Sequence, residues 1–385
     1  MERVTDKLTN WASEIDEKAM QQALRSSRMP FVDHVAVMPD AHWGMGATVG
    51  SVIATRGAIM PAAVGVDIGC GMIAHELAIG ADQLPDDLDG FMPAVSRSIP
   101  AGVGRGHRRV HRDAEDWFGA NRDRFATELN DKMCRKLLGQ YGSLGSGNHF
   151  FEICLDENDR VWFVLHSGSR GIGNMLAMGH IRSAKQAMKD RHIHLEDADL
   201  AYLEENDDAF VAYVADMTAC QDYAMANRIK MMDSVVRAWR DVHPYEGGRT
   251  VNCHHNFTQR EDHGHGEVWI TRKGAISARA GELGVVPGSM GTRSYIVEGL
   301  GSPDSFQSSS HGAGRTMSRG QAKRTFSVED LTAAMEGRVW NADKAQSLVD
   351  EIPGAYKDID RVMADQSDLT RPVHTLRQIL NYKGT

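Results

Sequence analysis

Apolar and polar positions along the chain follow two periods, one helical and one extended. From Asp16 to Leu24 the apolar residues Ala19, Met20, Ala23 and Leu24 recur at helical spacing. Asp16 stands as N-cap and Pro30 ends the pattern. Short apolar runs follow. Val35 to Met38 predicts a buried strand that stops at the loop Pro39 to Gly46, and Val49 to Thr55 and Ala58 to Val66 predict strands joined by a turn at Arg56-Gly57. Ala81 to Val95 and Glu115 to Gln140 read as helical regions. Phe150 to Leu155 and Val161 to Leu165 read as strands around a turn at Asp156 to Asp159. Helical patterns cover Asn174 to Asp190, Asp207 to Val242, Val328 to Met335 and Ala342 to Glu351; Val268 to Arg272 and Tyr295 to Val297 predict further strands. No repeat of fixed period and no linker interrupts them. The reading is one α+β domain over residues 1–385, with mixed β-sheets flanked by helices around one deep cleft.

Composition narrows the class. Apolar residues make up 42% and charged residues 25% of the chain, as in an ordinary globular protein. No apolar run approaches the ~18 residues of a membrane span, and no leader-like apolar stretch follows Met1. The five cysteines, Cys70, Cys134, Cys154, Cys220 and Cys253, are scattered and odd in number, which points to a reducing, cytoplasmic setting. The net charge of −9 disfavours a general nucleic-acid binder but leaves room for a local basic cleft. Seventeen histidines exceed what packing needs.

The chemistry gathers at glycine-rich junctions. In Gly65-Val66-Asp67-Ile68-Gly69-Cys70-Gly71 a carboxylate and a thiol stand three apart in a permissive backbone. The alternative for this heptad is a tight turn with Cys70 as a small buried hydrophobe. His149, His166 and His255 occupy matching positions at strand ends beside Gly, Ser or Asn. Five such donors exceed a tetrahedral site and suit two neighbouring metal ions with the thiolate bridging. The Cys/His set favours Zn²⁺ and the carboxylate admits Mn²⁺. His311 differs, being followed by Gly312-Ala313-Gly314-Arg315. Backbone N–H groups there can cradle phosphate, Arg315 adds a fork of donors, and a histidine so held can attack phosphorus. Loops Ser143 to Asn148 and Gly288 to Ser294 are further phosphate-binding candidates, but no conventional P-loop or Rossmann fingerprint is present. Gly102 to Arg112, with four arginines and two histidines, is the most basic stretch; it reads as a solvated loop or as a phosphate-contacting one.

Taken together, these segments resemble the RtcB family of RNA-splicing ligases. The strings that carry the resemblance are Met38-Pro39-Asp40 with His42, Gly57 to Met72, Gly145 to Glu152, His166 to Gly173, Asn252 to Asn256, Ala278 to Met290, Ser310 to Arg315 and Glu351 to Asp360, in family order over nearly the whole chain. The resemblance implies an RtcB-like fold and ligation of an RNA 3′-phosphate or 2′,3′-cyclic phosphate to a 5′-hydroxyl. It implies GTP and Mn²⁺ as cofactors, with Asp67, Cys70, His149, His166 and His255 holding two ions and His311 taking GMP covalently. It also implies a nucleotide pocket drawing on Asn148, Phe150, Glu152, Ser289, Ser294, Ala313, Gly314, Tyr356 and Lys383, with Arg170 contacting RNA phosphate. The RNA would derive from tRNA splicing or from repair of broken RNA, and an archease-type activator serves some members. The chain departs from the family at Met45, where a lysine is common, and at Gly102 to Arg112, which matches no family string. The rival readings are a metal-dependent RNA phosphodiesterase and a non-catalytic RNA-binding paralogue.

Overall fold

The computed structural model describes residues 1–241, 243, 247–264 and 266–384. Val242, the expected end of the second long helical pattern, lies outside the described residues. Two sheets organise the rest. A six-stranded sheet runs in the order Glu2–Thr5, Leu8–Asn10, Val32–His42, Val49–Thr55, Glu267–Lys273, Asn256–Asp262. The larger sheet runs Gly247–His254, Gly71–Gly80, Arg160–Ser167, Phe150–Leu155, Thr370–Lys383, Ser294–Gly299, Leu283–Val286, with Val339–Trp340 added beside Thr370–Lys383. Neighbours are mostly antiparallel; Leu8–Asn10 with Val32–His42 and Val339–Trp340 with Thr370–Lys383 are parallel. A small pair, Ala275–Ser277 with Ser308–Ser310, lies outside both sheets. This is the α+β architecture expected from the residue pattern, and no helix among the described residues is long and apolar enough to cross a membrane.

The core forms where sheet and helix faces meet. Ile73, Leu77, Phe151 and Phe163 from the larger sheet pack on Met231, Met232, Val235 and Trp239 of the helix Asp208–Arg240. Trp239 meets Phe91 and Phe163 edge to face at ring-centroid distances of 5.1 and 5.6 Å. Burial of each such side chain contributes about 1.5–3 kcal/mol. The helix Arg170–Asp190 packs on Asp208–Arg240 and buries Ile172, Leu176 and Ala177.

Several expected elements have their expected form. Asp16 caps Glu17–Ser27, its carboxylate accepting from Lys18 N at 2.9 Å. Val49–Thr55 and Phe150–Leu155 are strands with the bounds expected. Others differ, for physical reasons. The strand over residues 35–38 extends through Val32–His42, taking in part of the expected loop. Its pairing with Val49–Thr55 slips between Val37 and His42, so Pro39 occupies an irregular stretch where a missing N–H disrupts no regular ladder. The strand expected over 58–66 is only Ala58–Ile59. Pro61 then starts the buried helix Pro61–Val64 at a position where helices tolerate proline, and Gly65 ends it at φ +93°. The region over 81–95 is two short 3-10 turns followed by Met92–Ser98. The region over 115–140 is split into Arg112–Asn121 and Asp131–Gln140, the latter capped by Asn130, which accepts from Lys132 N and Met133 N. Residues 342–351 form one four-residue helix between 3-10 turns.

Candidate active site

Four strands of the larger sheet bring the junctions together. The register sets Phe150 opposite His166, Met72 opposite His166, Gly71 opposite Ser167 and His254 opposite Gly71. His149 immediately precedes one strand, His166 lies near the end of the next, Cys70 precedes the third and His255 follows the fourth. All four therefore share one sheet edge. At that edge the chain passes between the two sheets twice, at residues 65–71 and 254–256. The passages are tied by Gly69 N donating to Asn256 O at 2.7 Å and His255 N to Cys70 O at 2.8 Å. Gly69, at φ +71°, lies against the helix Asp208–Arg240, where a Cβ would overlap Gln221 and Ala224. Arg228 of that helix is fully buried; its guanidinium donates to Gly69 O at 2.8 Å, Ser167 O at 3.1 Å and Asn252 Oδ1 at 2.8 Å. It cross-links the strands behind the ligand edge.

Two donor triplets result, Asp67/Cys70/His149 and Cys70/His166/His255, each with ligand atoms within 4.8 Å of one another and with Cys70 common to both. Cys70 Sγ lies 3.4 Å from His149 Nε2 and 3.2 Å from His166 Nε2, and Asp67 Oδ2 lies 3.0 Å from His149 Nε2. Burial lowers the pKa of His166 and His255 well below the usual imidazole range, so both rings are neutral. His166 Nδ1 donates to Asn148 O at 2.9 Å, leaving a lone pair on Nε2. That Nε2 lies 2.9 Å from His255 Nε2. Burial raises the Asp67 carboxyl, but His149 and Arg170 outweigh it and hold it ionised. Burial, with Asp67 beside it, pushes the Cys70 thiol well up. Buried lone pairs, a carboxylate and a thiol converging on one volume are the donor set of a cation site. The residues present fit a pair of divalent ions. Gly168 keeps the approach clear, because a Cβ there would overlap the Asp67 carboxylate.

His311 stands beside this cluster, its ring centroid 4.6 Å from that of His255. Its position comes from the small strand Ser308–Ser310. Asp40, fully buried on Val32–His42, anchors it: Oδ2 accepts from His311 Nδ1 at 2.6 Å, from His311 N at 3.0 Å and from Gly312 N at 3.2 Å. Burial opposes ionisation of Asp40, but His311 wins and lowers its pKa. With the proton on Nδ1, the His311 Nε2 lone pair is free to act. Gly314, at φ +75°, lets the chain close over the Asp40 backbone.

A cleft of about 380 Å³ opens over these groups. Among its walls are Asp67, His166, His255, His311, Asn148, Phe150, Ser289, Ala313, Gly314, Tyr356 and Lys383. Glu152 and Ser294 are not on the wall. Glu152 is buried, accepts from Asn381 Nδ2 at 2.8 Å, and burial raises its pKa to about 8 against the pull of Lys383. Ser294 accepts from Gly288 N at 3.3 Å and shapes the loop. Besides Asp67, the carboxylate on the cleft wall is Glu351. It pairs with Lys383 Nζ at 2.7 Å and with Arg319, and accepts from Tyr356 OH at 2.8 Å; Lys383 and Arg319 overcome its burial and hold its pKa near 2. Arg315 donates to Tyr356 OH at 2.9 Å and lies over its ring at 4.7 Å. Arg170 starts its helix at φ +59° beside Gly145, His149 and Asp67. Asp40, Arg228 and Glu351 are site-building residues that sequence reasoning had not assigned. Asp40 left a signal as an acid beside His42 at the end of an apolar run, and Glu351 as the first residue of a string that carries the resemblance; Arg228 left none.

Known proteins resemble this chain over nearly its whole length. A family model described as tRNA-splicing ligase RtcB matches residues 22–384. The chain is 46% identical over 394 residues to the RNA-splicing ligase RtcB of Escherichia coli K12, covering 96% of this chain and 95% of the relative. It is 32% identical to the RNA-splicing ligase RtcB of Mycobacterium bovis, over 90% of this chain and 96% of the relative. It is 28% identical to the tRNA-splicing ligase RtcB of Nanoarchaeum equitans, over 96% and 92%.

Proposed function

The chain belongs to the RtcB family of RNA-splicing ligases, and we propose that its cleft joins RNA ends bearing a 3′-phosphate or 2′,3′-cyclic phosphate to 5′-hydroxyl ends, at the expense of GTP. The observation that carries the reading is the Asp40–His311 pair beside the doubled donor set. Asp67, Cys70 and His149 would hold one Mn²⁺ and Cys70, His166 and His255 the second. Bound there, the ions supply Lewis-acid charge to phosphoryl oxygens.

The chain's own groups do the rest. Asp40 holds the proton on Nδ1 and faces the positive charge that the ring acquires as Nε2 bonds the α-phosphorus of GTP and pyrophosphate leaves. An oxygen of the RNA 3′-phosphate then displaces His311 from that phosphorus, and the 5′-hydroxyl attacks the activated 3′-phosphate, releasing GMP. The Gly312 to Gly314 turn and Arg315 orient phosphate. Tyr356, Phe150, Asn148, Ser289 and Lys383 form the nucleotide wall, with Glu152 and Ser294 supporting it from behind. Arg170 takes RNA phosphate beside Asp67. The chain works as one catalytic domain in the cytoplasm on spliced or damaged RNA.

The test is intact-protein mass spectrometry after incubation with GTP and MnCl₂, beside His311→Ala. One added GMP, acid-labile and absent from the variant, is the expected result. No adduct in protein shown to carry metal would overturn nucleotidyl transfer and favour phosphodiester hydrolysis.

A further inference from the structure

The basic stretch over residues 102–112 takes no part in the cleft as described. Arg105, Arg108 and Arg109 are exposed and make no ion pair among the described residues, and Arg112 has only a loose contact with Asp116 at 3.7 Å. In a chain of net charge −9, unpaired guanidiniums side by side repel one another unless an anion joins them.

The stretch is nonetheless held in place by its backbone. Gly102 N donates to Gly145 O at 2.7 Å, Leu144 N to Pro100 O at 3.0 Å and His107 N to Gly139 O at 2.8 Å. His107 Nε2 donates to Gly142 O at 2.9 Å, and its ring meets His111 edge to face at 4.2 Å. Gly106 lies so close to Gly139 that a Cβ would overlap its carbonyl. The arginines thus project from a fixed platform while their own side chains are uncommitted.

That platform adjoins the catalytic edge. Gly145, which receives Gly102, is the residue against which the Arg170 guanidinium and His149 Nδ1 lie. A second link runs through Gln140, which donates to Arg105 O at 3.4 Å and accepts from Gly171 N at 2.9 Å. Lys136, on the same helix as Gln140, lies against Gly171. Positive groups therefore follow one another from Asp67 outward: Arg170, Lys136, then Arg105, Arg108 and Arg109.

We propose that residues 102–112 form a phosphate track that receives the RNA strand as it leaves the metal edge, with Arg105, Arg108 and Arg109 contacting successive backbone phosphates. The proposal rests on the reading of the cleft as an RNA-ligation site. It adds a sequence-independent contact surface for an RNA arm outside the reacting ends. The acidic overall charge makes such a local track valuable, since it confines favourable phosphate contacts to the strand that passes the active edge.

The experiment measures binding of a 3′-phosphorylated single-stranded RNA by the full chain across a salt series. It compares wild type, the triple variant Arg105→Ala/Arg108→Ala/Arg109→Ala, and a control losing the same charge at Arg3, Arg28 and Arg191. Each phosphate contact on a single strand contributes about 0.7 to the slope of log K against log salt. The track predicts a slope about two units shallower in the triple variant only, with a raised KM for RNA in ligation and a kcat that recovers at saturating RNA. GMP-adduct formation, which needs no RNA, reports that the fold and cleft survive. An unchanged slope in a triple variant that still takes GMP overturns the track and leaves the ligase reading standing. Loss of binding to anionic vesicles, with RNA binding kept, overturns it in favour of a membrane surface. A wild type that takes no GMP and binds no RNA overturns both readings.

Discussion

Asp40→Asn tests the chemistry at its most constrained point. The Asp40 carboxylate is fully buried, and one oxygen, Oδ2, accepts three hydrogen bonds, from the His311 ring at 2.6 Å and from two backbone N–H groups. The substitution keeps volume and shape. It removes the charge that faces the ring while the ring is bonded to phosphorus. A hydrogen bond to a charged partner is worth about 1.5–3 kcal/mol, roughly twice a neutral one. If the amide oxygen replaces Oδ2, the loss is about half of that; if the amide N–H turns toward Nδ1, the proton moves to Nε2 and the nucleophile is blocked. At about 1.4 kcal/mol per tenfold, the transfer of GMP to His311 slows by roughly three- to tenfold in the first case and by more in the second. The assay is single-turnover adduct formation followed by mass spectrometry, with GTP and Mn²⁺ saturating and folding checked by urea titration. An Asp40→Asn protein that takes GMP at the wild-type rate would refute the assignment of Nδ1 as the donor and of Nε2 as the attacking nitrogen.

Further outcomes follow from the same geometry. Because Cys70 belongs to both donor triplets and His255 to one, Cys70→Ala is expected to lose both ions and His255→Ala one, read as bound Mn²⁺ per chain by equilibrium dialysis; equal losses would contradict the shared thiolate. Lys383→Met leaves the buried Glu351 with a lost cation partner, and breaking a buried pair of this kind costs about 3–5 kcal/mol; the urea midpoint should fall, and Lys383→Met combined with Glu351→Gln should recover part of it. Glu152 carries a folded pKa raised by burial to about 8, so the folded chain binds a proton that the unfolded chain releases near 4.5. Its contribution is fully present below about pH 4.5 and is lost as pH rises to about 8. Glu152→Gln should flatten the decline in unfolding free energy across that window, and an unaltered slope would show Glu152 to be ionised in place.

What could be read from residues alone depended on whether a feature was local. The hairpin of Phe150–Leu155 and Arg160–Ser167 was legible because its apolar runs flank an Asn/Asp turn, and that hairpin already implies that His149 and His166 share an end. Gly71–Gly80 and Thr370–Lys383 were not. Thr370–Lys383 carries Arg371, Pro372, His374, Arg377 and Lys383, and its polar groups are satisfied only by distant partners: Gln378 donates to Ser289 O, Asn381 to Glu152, and Lys383 pairs with Glu351. Such a strand has no apolar period to betray it. Ala58 to Val66 misled in the opposite way, since a buried helical turn and a buried strand are both simply apolar, and only Pro61 hinted at the difference. The five candidate ligands were visible as separate junctions beside glycine. Asp40 was harder, because its partner His311 is 271 positions away and only the fold brings them within hydrogen-bonding distance.

Two of the passages of the chain between the two sheets occur at the ligand edge, at residues 65–71 and 254–256. The edge is therefore a seam. Any breathing of one sheet against the other is felt first by Asp67, Cys70 and His255, and any ion gripped there acts as a rivet through both layers. Occupancy and mechanical cohesion become one variable: a filled seam resists opening by the free energy of binding, and hydrogen exchange at Gly69, Cys70 and His255 amides becomes a gauge of how firmly the two halves are clasped.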